Sequence, residues 1–184
     1  PRREHVEHLH EQLLSRADSE RVLQREIETF VKSPGFERWQ HLSELLDAAD
    51  REGRIRAILG EAEKRGGNAS LLFEIYLAEG FVLEADGLVA TRAIDAHTLA
   101  TAAERVMDHH PDRAAGWLLM AAHRLVKRAR APHYEQAADW LDVVRDAALA
   151  TGQAESFDRA LTAFRDLYRR RPALLRALDA RGLR

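Results

Sequence analysis

Residues 153–170 read QAESFDRALTAFRDLYRR, and this stretch decides the fold class. Phe157, Ala160, Leu161, Phe164, Leu167 and Tyr168 recur at intervals of three and four, whereas Asp158, Arg159, Arg165 and Asp166 fill the positions between. A helix with about 3.6 residues per turn gathers the first set on one face. The alternation of period two that marks a half-buried strand is missing. The stretch is therefore expected to be an amphipathic helix with one buried face.

The same periodicity extends to the rest of the chain. Val22, Leu23, Ile27, Phe30 and Val31 form a second stripe between Ser19, placed to cap a helix, and Ser33-Pro34-Gly35, placed to end it. Similar punctuation follows at Asp50 to Gly53, Gly66-Gly67-Asn68, Gly80, Gly87, Pro111, Pro132 and Gly152. Helices are expected near 2–15, 19–32, 36–49, 52–65, 69–79, 81–89, 95–109, 112–128, 133–151, 154–170 and 172–180. The segment 112–128 is apolar around most of its circumference, through Ala114, Ala115, Trp117, Leu118, Leu119, Met120, Ala121, Ala122, Leu125 and Val126, and is expected at the structural centre.

Short links between amphipathic helices force antiparallel neighbours, and a succession of such hairpins builds a solenoid. The pair spacing of roughly 30 to 40 residues matches tetratricopeptide-like (TPR-like) arrays. Trp39, Leu42 and Leu46, followed after a turn by Ile55, Leu59 and Ala62, resemble the large and small positions of one repeat. The fold class expected is all-α, with antiparallel helix hairpins stacked as a short irregular TPR-like α-solenoid in a single repeat-like domain over 1–184. An irregular helical bundle made by the same hairpin physics is the alternative.

Composition bounds the partners. Hydrophobic residues make up 46% of the chain and charged residues 32%, the balance of a folding globular chain. Twenty-eight basic and 30 acidic side chains give a formal charge of −2, so no global field steers the protein toward nucleic acid or an anionic membrane. Cysteine is absent, which excludes disulfides, thiolate metal sites and thiol catalysis within this chain. No run approaches the roughly 20 apolar residues of a membrane helix, and the opening PRREHVEHLHEQ is too charged for a secretory signal. A cytoplasmic location without membrane association is the expectation, and the initial Pro1 suggests a piece of a longer protein.

The polar motifs point more to structure than to chemistry. In EHVEHLHE, His5 and His8 are three apart and His10 lies about 140° around the helix from His5, whereas a zincin helix needs two histidines four apart. A solvated charged face is the expectation there. His109 and His110 precede Pro111 and are expected at a helix end. Ser19, Ser43, Ser70 and Ser156 are read as helix caps rather than nucleophiles. Gly66-Gly67-Asn68 lacks the pattern of a phosphate-binding loop. Trp39, Tyr76, Phe81, Trp117 and Trp140 are expected in the core, with Tyr76, Glu79 and Glu84 as candidates for a concave binding surface. No catalytic, metal or cofactor-binding residue is assigned, and the chain is read as not an enzyme.

The last stretch, LYRRRPALLRALDARGLR from Leu167 to Arg184, carries the densest positive charge. Arg169, Arg170 and Arg171 are expected in the last turn of a helix, where cations complement the dipole, with Pro172 opening the next helix. The alternative is a nucleic-acid contact through Arg165, Arg169, Arg170, Arg171 and Arg176.

Tyr134, Ala137, Ala138 and Leu141, then Phe157, Leu161 and Leu167, then YRRRPALLRAL from Tyr168 to Leu178 carry a resemblance. From about Ile94 onward the chain is similar to the C-terminal helical region of bacterial SWIM zinc-finger proteins. The resemblance implies a non-enzymatic helical scaffold beside a zinc-binding module that contacts nucleic acid or protein. The CxC and CxH ligands of that module have no counterpart in this cysteine-free chain, so no zinc ligand carries over. The expected partner is a protein of unknown identity, with nucleic acid reached through the adjoining domain.

Overall fold

A computed structural model describes residues 18–128 and 130–184. Among these residues the regular structure is helical, without strands. The chain divides between Arg92 and Ala93 into two compact units. The expected segment 2–15 and the histidines His5, His8 and His10 lie outside the described residues.

In the first unit, α1 covers 18–32, α2 Phe36–Glu44, α3 Arg51–Lys64, α4 Ala69–Ala78 and α5 Val82–Thr91. A 3-10 turn at Ala48–Asp50 leads into α3. The most apolar of these helices is α4: Leu72, Phe73, Ile75, Tyr76 and Leu77 are all buried, and it packs on α2, α3 and α5. Burial around most of its circumference makes it the centre of this unit. Phe30 of α1 meets Trp39 of α2 with ring centroids 5.2 Å apart, inside the range of favourable aromatic pairs.

In the second unit, α6 covers Ala96–Val106, α7 Pro111–Lys127, α8 Ala131–Ala150, α9 Ala154–Leu167 and α10 Pro172–Ala180. As expected from its composition, α7 buries Ala114, Trp117, Leu118, Ala121, Ala122, Leu125 and Val126, and it packs between α6 and α8. Small alanines on its buried face allow close helix approach. In turn, α8 packs on α9 and α10. Pro111 and Pro172 stand at the first helical positions, where the missing N–H costs nothing and φ is already helical.

Three helices end three or more residues before expectation. The expected helix 36–49 stops at Glu44, because Asp47 turns to extended geometry and its carboxylate accepts the Ala49 N–H at 3.2 Å. That break lets Leu46 point inward, 7% exposed. The expected helix 95–109 ends at Val106, whose carbonyl accepts the N–H groups of His109 and His110. The two histidines thus occupy a turn, and His110 is the residue before α7. Finally, α9 ends at Leu167 rather than 170. Leu167 is 65% exposed, so it leaves the apolar face to which its spacing assigned it, and Val22 at 53% does the same in α1.

Gly66, Gly80, Gly152 and Gly182 close helices, whereas Gly53 and Gly87, read from sequence as punctuation, lie inside α3 and α5. Gly66 has φ +81°, its N–H donates to Glu63 O at 2.9 Å, and the Gly67 N–H donates to Ala62 O at 2.9 Å. That pair of bonds is a Schellman closure, which needs the left-handed conformation that glycine adopts without strain. Gly182 repeats it at the end of α10, with φ +71° and Leu183 fully buried behind it.

Candidate functional site

The arginines organise the polar side of both units. Each helix ends with carbonyls that have no partner within the helix, and a guanidinium with five donors suits them well. Arg51 donates to Ser43 O at the end of α2. Arg92 donates to Gly67 O at 3.1 Å and Glu63 O at 3.4 Å past the end of α3. Arg124 bonds Ile94 O, Arg145 bonds Arg181 O at 2.9 Å, Arg165 bonds Leu183 O at 2.6 Å and Arg171 bonds Val126 O. The separations run from 8 residues for Arg51 and Ser43 to 45 for Arg171 and Val126, and Ile94 O lies just before α6, not at a helix end.

This pattern divides the five C-terminal arginines. Arg165 also pairs with Asp179 at 3.0 Å, so it fastens the end of α10 to α9. Arg171 lies in the turn after α9, not in its last helical turn, and immediately precedes α10. Besides Val126 O it donates to the Tyr134 hydroxyl at 3.4 Å, and its guanidinium covers the Tyr168 ring at 5.4 Å. Arg169 and Arg170 are exposed in the same turn, and Arg176 is exposed on α10. Two of the five are thus structural ties, and the other three face solvent.

A second knot clamps the C-terminus. Arg181 bonds Glu135 at 2.9 Å and Asp139 at 2.7 Å, both on α8. Arg145 pairs with Asp142 at 2.6 Å while holding Arg181 O. The acids on the early turns of α8 are therefore occupied by Arg181.

Between α7 and α9 sits an aromatic cluster around His123. Its ring is 4.6 Å from that of Phe164 and 5.7 Å from that of Tyr168, and Nδ1 is 3.2 Å from the Tyr168 hydroxyl. That hydroxyl also lies 3.3 Å from the His123 carbonyl oxygen, to which it donates. Desolvation, assisted by the neighbouring Lys127 cation, pushes the imidazole below its ordinary value. Desolvation also raises the Tyr168 phenol, although Arg171 opposes it. His97 instead meets the edge of Trp140 at 5.9 Å.

In the first unit, two of the three residues assigned to a concave surface, Glu79 and Glu84, are tied to neighbours, and the third, Tyr76, is buried. Glu79 accepts the Trp39 indole N–H at 2.9 Å and pairs with Arg51 at 3.4 Å. Glu84 accepts from Arg56 at 2.6 Å, a bond that holds its carboxyl below the usual range, and Arg56 lies 4.4 Å over the Phe81 ring. Tyr76 is buried, and desolvation pushes its phenol up to about 12. The aromatics Trp39, Tyr76, Phe81, Trp117 and Trp140 are all buried, as expected.

The serines do not act as caps by their position. Ser19 lies inside α1, Ser43 near the end of α2 bonded to Gln40 O, and Ser70 and Ser156 within the first turns of α4 and α9. Asp47, Asn68 and Asp95 are the residues whose side chains accept helix-start N–H groups. Their short acceptors reach those donors from non-helical backbone.

One grouping escaped the sequence reading. Because Arg171 reaches Val126 O, the turn carrying Arg169 and Arg170 lies beside the end of α7, where Lys127, Arg128 and Arg130 are exposed. The available signal was a shared pattern: both basic runs immediately precede a helix with proline at its first or second position.

A scan against protein-family models, a search of curated proteins and a search of solved structures found no match to this chain. Among the described residues no helix is long and apolar enough to cross a membrane.

Proposed function

We propose that the chain is a non-enzymatic helical scaffold, built as a short TPR-like array, that acts by surface complementarity toward a protein partner and adjoins a SWIM zinc finger in its parent chain. The observation that carries this reading is the packing order. Packing joins the sequence neighbours α3–α4, α4–α5, α6–α7, α7–α8 and α8–α9, and also helices next but one in sequence, α2 with α4 and α8 with α10. Stacked helix pairs produce that order, because the first helix of one pair rests on the first helix of the next. The chemistry of the arginines supports it further, since their guanidiniums join helix ends within each unit.

Capture experiments test the proposal. The parent protein and the isolated chain are each used as bait, with the helical content of the isolated chain verified by circular dichroism. Retention by the isolated chain of a partner held by the parent protein is expected. A folded chain that retains none of the parent's partners overturns the scaffold reading. A parent gene without CxC and CxH upstream overturns its zinc-finger part alone.

A further inference from the structure

We propose that the end of the second unit formed by the α7–α8 and α9–α10 turns is a docking surface for the phosphodiester backbone of nucleic acid, contacted by Lys127, Arg128, Arg130, Arg169 and Arg170. This goes beyond the scaffold reading and does not depend on it. Of the cations expected from sequence it keeps Arg169 and Arg170, and it leaves out Arg165 and Arg171, engaged with carbonyl oxygens, and Arg176, which lies within α10 outside the two turns.

Two observations converge on this surface. First, Arg171 joins the two turns by bonding Val126 O and the Tyr134 hydroxyl, so two basic runs separated in sequence form one patch. Second, all five cations are exposed, and none has an ion-pair partner among the described residues. Two nearby acids are already engaged, since Glu135 and Asp139 bind Arg181. The helix dipoles add no net charge here, because α7 and α9 end where α8 and α10 begin, so the side-chain cations alone make the surface positive.

A phosphodiester chain fits this surface better than an acidic peptide does. Neighbouring helices lie about 8–10 Å apart, so the two turns present cations across a width that closely spaced phosphates can bridge. Peptide recognition uses apolar anchors in a groove. Of the large exposed apolar residues in this unit, Val143 and Leu149 lie in the second half of α8, away from its start, which leaves Leu167 alone near the patch. The two tyrosines of the patch are tied to Arg171 and offer no stacking platform for bases. Contacts to phosphate alone carry no sequence information, so binding should be insensitive to sequence.

The test is fluorescence anisotropy of a labelled duplex titrated with the full chain at low salt. Arg169→Glu/Arg170→Glu and Lys127→Glu/Arg128→Glu are compared with Arg25→Glu/Lys32→Glu, which makes the same charge change on the exposed surface of α1. Melting curves verify that each variant is folded. Each patch variant is expected to weaken binding by about tenfold or more and to flatten the log–log salt slope by about two, whereas the α1 variant stays near the parent. Equal losses in all three variants overturn the proposal, as does the absence of binding at about 50 mM salt. Cosedimentation with phosphatidylserine vesicles or binding of polyglutamate, without duplex binding, also overturns it. Loss of duplex binding with partner capture intact separates this surface from the scaffold function.

Discussion

Arg171 and Val126 stand 45 positions apart, yet the guanidinium of the first closes the carbonyl of the second at the end of α7. The bond joins two helix-ending turns and sets the Tyr168 ring beneath a cation. Replacing Arg171 by alanine leaves a helix-end carbonyl without its charged donor. A loss of about 1–2 kcal/mol in stability is expected, from a hydrogen bond to a charged group in a partly exposed site. Arg171→Lys should recover only part of it, since one ammonium cannot reproduce the planar fork. Urea unfolding followed by the fluorescence of Trp117 and Trp140 checks both; equal stability of Arg171→Ala and the parent would show that the bond contributes nothing.

Trp39 and Glu79 form the corresponding tie in the first unit, with the indole N–H donating at 2.9 Å. Glu79→Gln keeps an acceptor and should cost little. Glu79→Leu leaves the N–H of a buried tryptophan unpaired and should cost about 1–3 kcal/mol. Comparing the two variants by denaturant titration separates the hydrogen bond from the loss of charge near Arg51.

His123 makes stability depend on pH with a defined sign. Its value in the folded chain lies below the ordinary imidazole value, so the unfolded chain binds the proton more readily. Its contribution is fully present above the unfolded value of about 6.5 and is lost as pH falls through the folded value. Groups facing the ring are Lys127 on its own helix, with Phe164 and Tyr168 from α9 and its turn; Arg171 lies over the latter. His123→Leu should show a smaller drop in melting temperature between pH 8 and pH 5 than the parent, whatever its melting temperature at pH 8. An unchanged drop would assign the acid sensitivity to other groups.

Glycine substitutions should divide by backbone conformation. Gly182 has φ +71°, and Gly182→Ala should cost about 1–2 kcal/mol although open space surrounds the new methyl. Gly116 lies within α7, also with open space, and Gly116→Ala should stabilise by about 0.5–1 kcal/mol. Thermal melting of the pair reads the sign directly, and the same sign for both would refute the assignment.

Local chemistry made much of this architecture legible. Proline announced the start of α10, glycine ended α3, α4 and α8, a stripe at period 3.6 marked the buried side of α9, and apolar residues around most of its circumference marked α7 as a buried helix. The exceptions have local causes too: Asp47 interrupts the helix expected through residue 49, and Leu167, at the last helical position, is turned to solvent.

The sequence by itself determined that this chain is helical and where most of its helices start and stop, because hydrophobic period, caps and breakers act within a few residues. Only the tertiary structure decided which arginines are free. Arg165 and Arg170 look alike as letters, yet one is held by Leu183 O and Asp179 while the other faces water. A guanidinium finds its carbonyl through helix packing, and the partners of Trp39 and Arg171 lie 40 and 45 positions away. Periodicity operates over a few turns and cannot register a contact at that range.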